Sequence, residues 1–139
     1  MSVHQLIYTS QATPEVTGRV LLDMQIRAQD NNSKLEISGI LIFHHGAFIQ
    51  LLEGSEKNVK ELFAAISKDP RHTNVQINFE KDSYERLMPS WFMGFSTSEV
   101  LPMNEICDQS FRIPIEETRQ LCELMQGEIG NLFRSFLKT

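Results

Sequence analysis

Two apolar runs in the middle of the chain constrain its fold more than any other feature. They read ISGILIFHH at residues 37–45 and AFIQLLEG at residues 47–54, and little more than Gly46 separates them. Short apolar runs that meet at a glycine are typical of antiparallel strands joined by a tight turn. The centre of the chain is therefore predicted to be a β-hairpin.

A strand and a helix are predicted before this hairpin. Residues 3–9 (VHQLIYT) are rich in the residue types that favour strands. A helix is expected to start at Thr13-Pro14 or at Thr17, where a hydroxyl can cap the first turn. The polar residues 30–33 (DNNS) favour turns and are expected to end that helix.

A helix and two strands are predicted after the hairpin. Ser55 is expected to cap the helix, and Asp69-Pro70 to stop it. Residues 74–84 alternate apolar Val75, Ile77 and Phe79 with polar neighbours, and WFMGFSTS at 91–98 is expected to be the last strand. The order β-α-β-β-α-β-β predicts an α+β fold, with a ferredoxin-like sheet and both helices on one face.

The last part of the chain has a different pattern. One helix is expected from about Glu116 to Leu137, with its apolar side chains in a single stripe. Two helices on one face leave the other face of the sheet uncovered, so this helix is predicted to cap it. The chain is thus expected to divide into residues 1–98 and a C-terminal extension of residues 99–139.

Composition excludes several classes of protein. The net charge is −5 and the 13 Lys and Arg residues are scattered, which argues against a nucleic-acid partner. Cys107 and Cys122 form no C-x-x-C pair, so neither a disulfide scaffold nor a zinc site is expected. The chain has no stretch of about 18 apolar residues and no signal peptide at its start, so a cytoplasmic protein without a membrane span is expected.

Gln50 is the residue that the apolar pattern does not explain. It lies in the middle of a predicted strand, and Phe48 and Leu52 are its neighbours on the same face. A buried amide left without hydrogen bonds costs about 1–3 kcal/mol for each unpaired group. Gln50 either reaches solvent on the outer face of the strand or bonds a buried partner or ligand, and the pattern leaves both readings open.

Other polar and aromatic residues are ordinary when each is considered alone. Tyr8 suits a core position with its hydroxyl near the surface. Asn31-Asn32 suits a helix end, and residues 69–72 (DPRH) suit a helix stop. Trp91 and Met93 share one strand face and suit the core.

The sequence contains no recognisable machinery for catalysis. His44 and His45 are adjacent on a strand and point to opposite faces, so they cannot bind one metal ion together. Metalloprotease, phosphate-binding, dinucleotide-binding and nucleophile-elbow motifs do not occur. We therefore expect neither an enzyme nor a metal site.

Considered together, these segments resemble the BLUF family of flavin-binding blue-light receptors, in its short single-domain type. The resemblance runs from about Val3 to Ser98, roughly seventy per cent of the chain. No single motif is specific, but their joint order and spacing are. The motifs are LIYTS at 6–10, NN at 31–32, SGILIFHHGAFIQLLEG at 38–54, DPRH at 69–72 and WFM at 91–93.

The resemblance implies a non-covalent flavin, FAD with FMN as the alternative, bound between the two helices on the sheet. Asn31 and Asn32 would bond the polar edge of its ring. Asp69, Arg71 and His72 would lie near the ribityl or phosphate end. Apolar contacts to the ring are implied for Met24, Leu41, Phe48 and Ile66.

The resemblance also implies a photocycle. Light would drive an electron and a proton from Tyr8 by way of Gln50, and the Gln50 amide would rotate or tautomerise. A new hydrogen bond to the flavin would then shift its absorption to the red. Trp91 and Met93 match the strand that rearranges on signalling, and Met93 also matches a flavin contact.

This sequence departs from the family pattern in two places, and it leaves other functions open. Met24 stands where many members have a branched aliphatic residue, and Ala28 offers no hydroxyl. One alternative function is a ferredoxin-like ligand-binding or oligomerisation module without photochemistry. Another is an acylphosphatase-like hydrolase, although the segment after Tyr8 does not supply its anion-binding loop.

The signal is expected to leave the chain through another molecule. About forty residues follow the sensor segment, and they suit a cap rather than an effector. Output through a separate signalling protein or a change in homo-oligomer assembly is therefore expected.

Overall fold

The computed structural model describes residues 2–88, 92–97 and 113–138. Within these ranges it contains five strands and four helices. The strands are β1 (Val3–Ala12), β2 (Ser38–His44), β3 (Ala47–Gly54), β4 (His72–Ser83) and β5 (Phe92–Thr97). The helices are α1 (Gly18–Lys34), α2 (Glu56–Lys68), α3 (Ile115–Leu124) and α4 (Gly127–Leu137).

The five strands form one mixed sheet in the order β4-β1-β3-β2-β5. Neighbours are antiparallel except for β2 and β5, which are parallel. The α+β class and the ferredoxin-like arrangement predicted from the sequence are confirmed. Trp91 and residues 98–112 lie outside the described part of the chain.

The predicted hairpin forms from β2 and β3 around a two-residue turn. His45 (φ 51°) and Gly46 (φ 77°) both have positive φ, as the commonest tight hairpin turn requires. Every residue of β2 is buried, as is every residue of β3 after Ala47. Helices cover both faces of this hairpin, which explains why its sequence is apolar almost throughout rather than at alternate positions.

Helices α1 and α2 cover the first face of the sheet. Thr17 caps α1 through a hydrogen bond from the Val20 amide, so the later of the two expected starts is the correct one. The polar residues 30–33, which are expected to end this helix, lie within its final turns, and α1 ends one residue later at Lys34. Asn31 and Asn32 are therefore held on a regular helix. The buried members of this core are Leu6, Tyr8, Leu21, Met24, Ile37, Leu41, Phe43, Phe48, Leu52, Val59 and Phe95.

Helices α3 and α4 cover the second face, so the C-terminal cap lies where the sequence predicted it. The expectation of one continuous helix over residues 116–137 is wrong. The backbone is extended at Met125 and has positive φ at Gly127 (70°), and Leu124 is 78% exposed. The buried members of this second core are Ile7, Ile40, Ile42, Ile49, Leu51, Met88, Cys122, Met125, Phe133 and Leu137.

The break between the two helices has its own hydrogen bonds. Nη1 of Arg134 on α4 donates to the carbonyl oxygens of Cys122 (2.8 Å) and Met125 (2.7 Å) at the end of α3. The Cys122 carbonyl also accepts from the Met125 amide at 3.3 Å, and neither carbonyl has the partner that a continuing helix would provide. Arg134 therefore compensates for the break and joins the two helices into one cap.

The simple alternation expected along β4 is interrupted. The pairing of β4 with β1 shifts register between Ile7 and Tyr8, and again between Thr9 and Gln11. A one-residue shift exchanges the faces of all later side chains. Val75 accordingly packs against the first core and Phe79 against the second, while Ile77 is 48% exposed.

Among the described residues, no helix has the length and apolar character needed to span a membrane. The division into a sensor of residues 1–98 and an extension of residues 99–139 stays a prediction.

Gly130 allows the close approach of α4 to the end of α3. A Cβ atom at this position would lie 2.3 Å from the Met125 carbonyl oxygen. Gly130→Ala is therefore expected to destabilise the protein by about 1–3 kcal/mol, measured by urea unfolding. In an open helix, by contrast, Gly→Ala increases stability by up to about 1 kcal/mol. Ser135→Ala, at an exposed position of α4, is the control. A Gly130→Ala variant more stable than the parent would contradict the close contact between Gly130 and the Met125 carbonyl.

His4 is buried between two carboxylates of β4. Its ring nitrogens lie 2.8 Å from Asp82 Oδ1 and 2.7 Å from Glu80 Oε2. Burial opposes the charged ring, but hydrogen bonds with Asp82 and Glu80 outweigh burial and raise the pKa of His4 above 6.5. The protonated ring therefore stabilises the fold below about pH 6.5, and this contribution is lost as pH rises through the higher folded-state pKa.

The test compares melting temperatures of the parent and His4→Gln between about pH 5 and pH 8. The advantage of the parent over the variant is expected to shrink as pH rises. Parallel curves would contradict this assignment.

Candidate functional site

The site is built around a pair of side chains on adjacent strands. Tyr8 on β1 is the direct cross-strand partner of Gln50 on β3, which brings their side chains together on the face that α1 and α2 cover. The Tyr8 hydroxyl donates a hydrogen bond of 2.5 Å to Oε1 of Gln50. Tyr8 is 1% exposed and Gln50 is 4% exposed. Of the two readings that the sequence left open for Gln50, the buried one is therefore correct.

The surroundings of Tyr8 keep its hydroxyl protonated. Burial raises the pKa of the Tyr8 phenol far above its ordinary value of 10, and the negative charge of Asp69 raises it further. The ring packs against Phe63, with 5.5 Å between centroids, and against His72 in an edge-on arrangement with 6.1 Å between centroids. Tyr8 is thus held as a neutral hydrogen-bond donor with a fixed ring orientation.

A cavity of about 260 Å³ opens beside this pair, between α1, α2 and the sheet. Its lining combines apolar side chains with amides and charged side chains. Small-molecule sites typically have this composition, in which a few polar groups orient a ligand within an apolar wall. The lining residues are Tyr8, Met24, Arg27, Ala28, Asn31, Asn32, Leu41, Gln50, Leu62, Ala65, Ile66, Asp69, Arg71 and His72.

Asn32 contributes an unusual amide to this lining. The residue is 1% exposed, and its Nδ2 is buried without a hydrogen-bond partner. A donor left in this state costs about 1–3 kcal/mol, and native structures contain few of them. The Asn32 amide is therefore suited to an acceptor on a ligand in the cavity.

The charged end of the cavity is formed by the segment between α2 and β4. The Arg71 guanidinium bonds both carboxylate oxygens of Asp69, and this pairing lowers the pKa of Asp69. His72 follows, with its Nδ1 2.8 Å from the Ser10 hydroxyl, and burial lowers its pKa. The His72 imidazole and the paired Arg71 guanidinium thus line the same cavity as Tyr8.

The structure brings together most of the residues predicted from the sequence. Ten of them line the cavity, namely Tyr8, Met24, Asn31, Asn32, Leu41, Gln50, Ile66, Asp69, Arg71 and His72. Phe48 is not in the lining, but its ring centroid lies 4.7 Å from that of His72, which is. Trp91 lies outside the described residues, and Met93 lies in β5 with its side chain outside the described part.

Four lining residues, Arg27, Ala28, Leu62 and Ala65, are not among the predicted site residues. Helical spacing is the signal that identifies them. Residues 24, 27, 28 and 31 follow one face of α1, and residues 62, 65, 66 and 69 follow one face of α2 and its C-terminal end. Once Met24 and Ile66 were assigned to the site, their neighbours on these faces were predictable too.

Comparison with known proteins identifies the family. The family model described as BLUF, sensors of blue light using FAD, matches residues 3–94. The beta subunit of the photoactivated adenylate cyclase of Euglena gracilis is 34% identical over 109 residues, which are 75% of this chain and 13% of that protein. The chain thus spans about an eighth of the length of such curated relatives.

Solved structures agree with this match. BlrP1 of Klebsiella pneumoniae, determined with FMN and cyclic diGMP, is 35% identical over 67% of this chain and 25% of its own, with a TM-score of 0.63. BlsA in its photo-activated state is 26% identical, with a TM-score of 0.70, and the similarity covers 99% of this chain and 94% of that one.

Members of the family bind a flavin and pass a light signal to effectors. The segment shared with the cyclase subunit is the sensor rather than the whole enzyme. The match runs from β1 to the first half of β5 and includes the Tyr8–Gln50 pair and the cavity beside it, and the chain therefore belongs to the BLUF family of flavin-binding blue-light sensors.

Proposed function

We propose that the cavity between α1 and α2 holds the flavin, and that Tyr8 and Gln50 convert its excitation into a new hydrogen-bond arrangement. The observation that carries this proposal is the buried Tyr8–Gln50 hydrogen bond of 2.5 Å at the cavity wall. We propose FAD as the cofactor because the family description names it. FMN is the alternative, since it is present with BlrP1.

The residues of the cavity fit the chemistry of a flavin. An isoalloxazine ring offers an apolar plane and a polar edge of carbonyl, N–H and ring-nitrogen groups. Met24, Leu41 and Ile66 supply apolar surface, and the unpaired Nδ2 of Asn32 supplies a donor for that edge. Arg71 and Asp69 at the charged end suit the polar chain that continues from the ring.

A bound flavin supplies blue-light absorption and an excited state that accepts an electron. The chain supplies the proton and the switch. The Tyr8 phenol holds its proton at Oη, within hydrogen-bond reach of Gln50 Oε1. A carboxamide carries an acceptor and a donor of similar size, so a half-turn or tautomerisation of Gln50 changes what it offers to Tyr8 and to a ligand.

The output of this switch is proposed to pass to a separate signalling protein or to a second copy of the chain. Support comes from the cap, since α3 and α4 pack directly on the sheet that carries Gln50. Relatives differ in output, because one is a cyclase subunit and another, of Escherichia coli, is named an antirepressor. The homo-oligomeric state and cytoplasmic location expected from the sequence stay predictions.

The photochemical role of Tyr8 is tested on the purified protein. We expect a yellow protein whose released cofactor is FAD and whose absorption shifts reversibly to the red in blue light. Tyr8→Phe is expected to retain the flavin and lose the shift, because the phenylalanine ring keeps the packing but has no O–H to donate to Gln50. Absorption spectra before, during and after illumination provide the measurement.

Tyr84→Phe is the matched control, because it removes the same hydroxyl from a tyrosine that is 93% exposed. It should respond to light like the parent. A full red shift in Tyr8→Phe would show that another residue is the photoactive donor. A colourless parent that also fails to bind added flavin would reject the sensor function and favour a ferredoxin-like module without photochemistry.

The role of the Asn32 amide is tested by flavin affinity. Asn32→Ala removes a donor that has no partner within the protein, so we expect the flavin dissociation constant to rise about tenfold. In the flavin-free protein Asn32 Nδ2 makes no hydrogen bond, so the substitution removes none and should not lower the melting temperature on that account. Asn131→Ala, on the exposed side of α4, is the control, and an unchanged dissociation constant for Asn32→Ala would place the polar edge of the flavin elsewhere.

A further inference from the structure

Glu53 is a fully buried carboxylate near the end of β3, outside the cavity. It lies three residues after Gln50 and is 0% exposed. Its odd spacing from Gln50 directs its side chain to the opposite face of the sheet. Burying a carboxylate is unfavourable unless donors surround it, so the identity of those donors indicates what the residue holds in place.

Three N–H groups surround the Glu53 carboxylate. Oε2 accepts from Nε2 of Gln5 (2.7 Å) and from the Leu87 amide (2.6 Å). Oε1 accepts from the Met88 amide at 2.8 Å. Two of the three donors therefore belong to the backbone of the segment between β4 and β5, and one side chain fastens that segment to the strand that carries Gln50.

Arg86 strengthens the same attachment. Its Nη1 donates to the Ser38 hydroxyl at 2.8 Å and to the Glu53 carbonyl oxygen at 3.1 Å. Ser38 precedes Gly39, which is paired with Phe92 at the start of β5. Residues 86–88 are thus tied to β2 and β3 beside the point where β5 begins.

Strand β5 connects the site to the cap. Gln50 pairs with Leu41, and Leu41 pairs with Phe95, so the three residues form one row across the sheet. The next residue, Ser96, accepts a hydrogen bond of 2.7 Å from the Thr118 hydroxyl of α3, and both residues are 0% exposed. Backbone pairing across β3, β2 and β5 and the Ser96–Thr118 bond thus form a continuous connection from Gln50 to α3.

We propose that Glu53 is a positioning residue of the light response, which sets the start of β5 by fixing residues 86–88 and so controls how readily the strand responds to Gln50. This inference rests on the proposed function. Glu53 does not line the cavity and is not assigned any contact with the flavin. Its effect is on the energy barrier between the dark and light arrangements.

Glu53→Gln is the first test, because the amide keeps the size of the side chain. One oxygen becomes an NH₂ group, which faces a donor and breaks at least one of the three bonds. We expect flavin content and the dark absorption maximum to match the parent. Thermal return from the light state should be about fivefold faster or more, because a looser start of β5 lowers the barrier.

Arg86→Ala provides a second test that leaves the buried carboxylate in place. It removes the bonds to Ser38 and to the Glu53 carbonyl, and we expect a faster return here too. Glu85→Gln is the control, since Glu85 is an exposed carboxyl in the same segment. Its return should match that of the parent.

A purely structural role for Glu53 would lower the melting temperature and leave the return rate unchanged. That result in flavin-bound Glu53→Gln, or in Arg86→Ala if Glu53→Gln does not fold, would overturn the proposal. Failure of the proposed function is distinguishable, because the unsubstituted protein would then show no reversible red shift, and the positioning role would be rejected with it.

Discussion

The register between β1 and β3 is the constraint on which the site depends. It places Tyr8 directly opposite Gln50, on a face that α1 and α2 shield from water. Because each side chain is almost completely buried, each provides the hydrogen bond that water would otherwise give the other. A slip of one residue in this pairing would send Gln50 to the cap side and leave Tyr8 without its partner.

The fold and most of the site could be predicted because their signals are local. The apolar runs around Gly46 indicated the hairpin, and the caps at Thr17 and Ser55 marked the helices. Gln50 stood out because an amide in an apolar strand needs a partner. The other site residues became recognisable only through their joint spacing, since each alone suits an ordinary structural role.

The features that the sequence did not reveal depend on contacts between distant residues. The break between α3 and α4 is stabilised by Arg134, nine residues after Met125, and a periodicity argument cannot detect such a bond. The register shifts in β4 depend on its pairing with β1, more than sixty residues away. Long-range pairing therefore decides what local patterns leave open.

The shifts along β4 also affect how the molecule meets its neighbours. This strand forms one edge of the sheet, where a regular row of free N–H and C=O groups would invite the strand of another molecule. Two irregularities interrupt that row, and the charged residues Glu80, Lys81 and Asp82 follow them. Growth of the sheet by strand addition is thereby disfavoured at this edge, which protects it against fibrous aggregation.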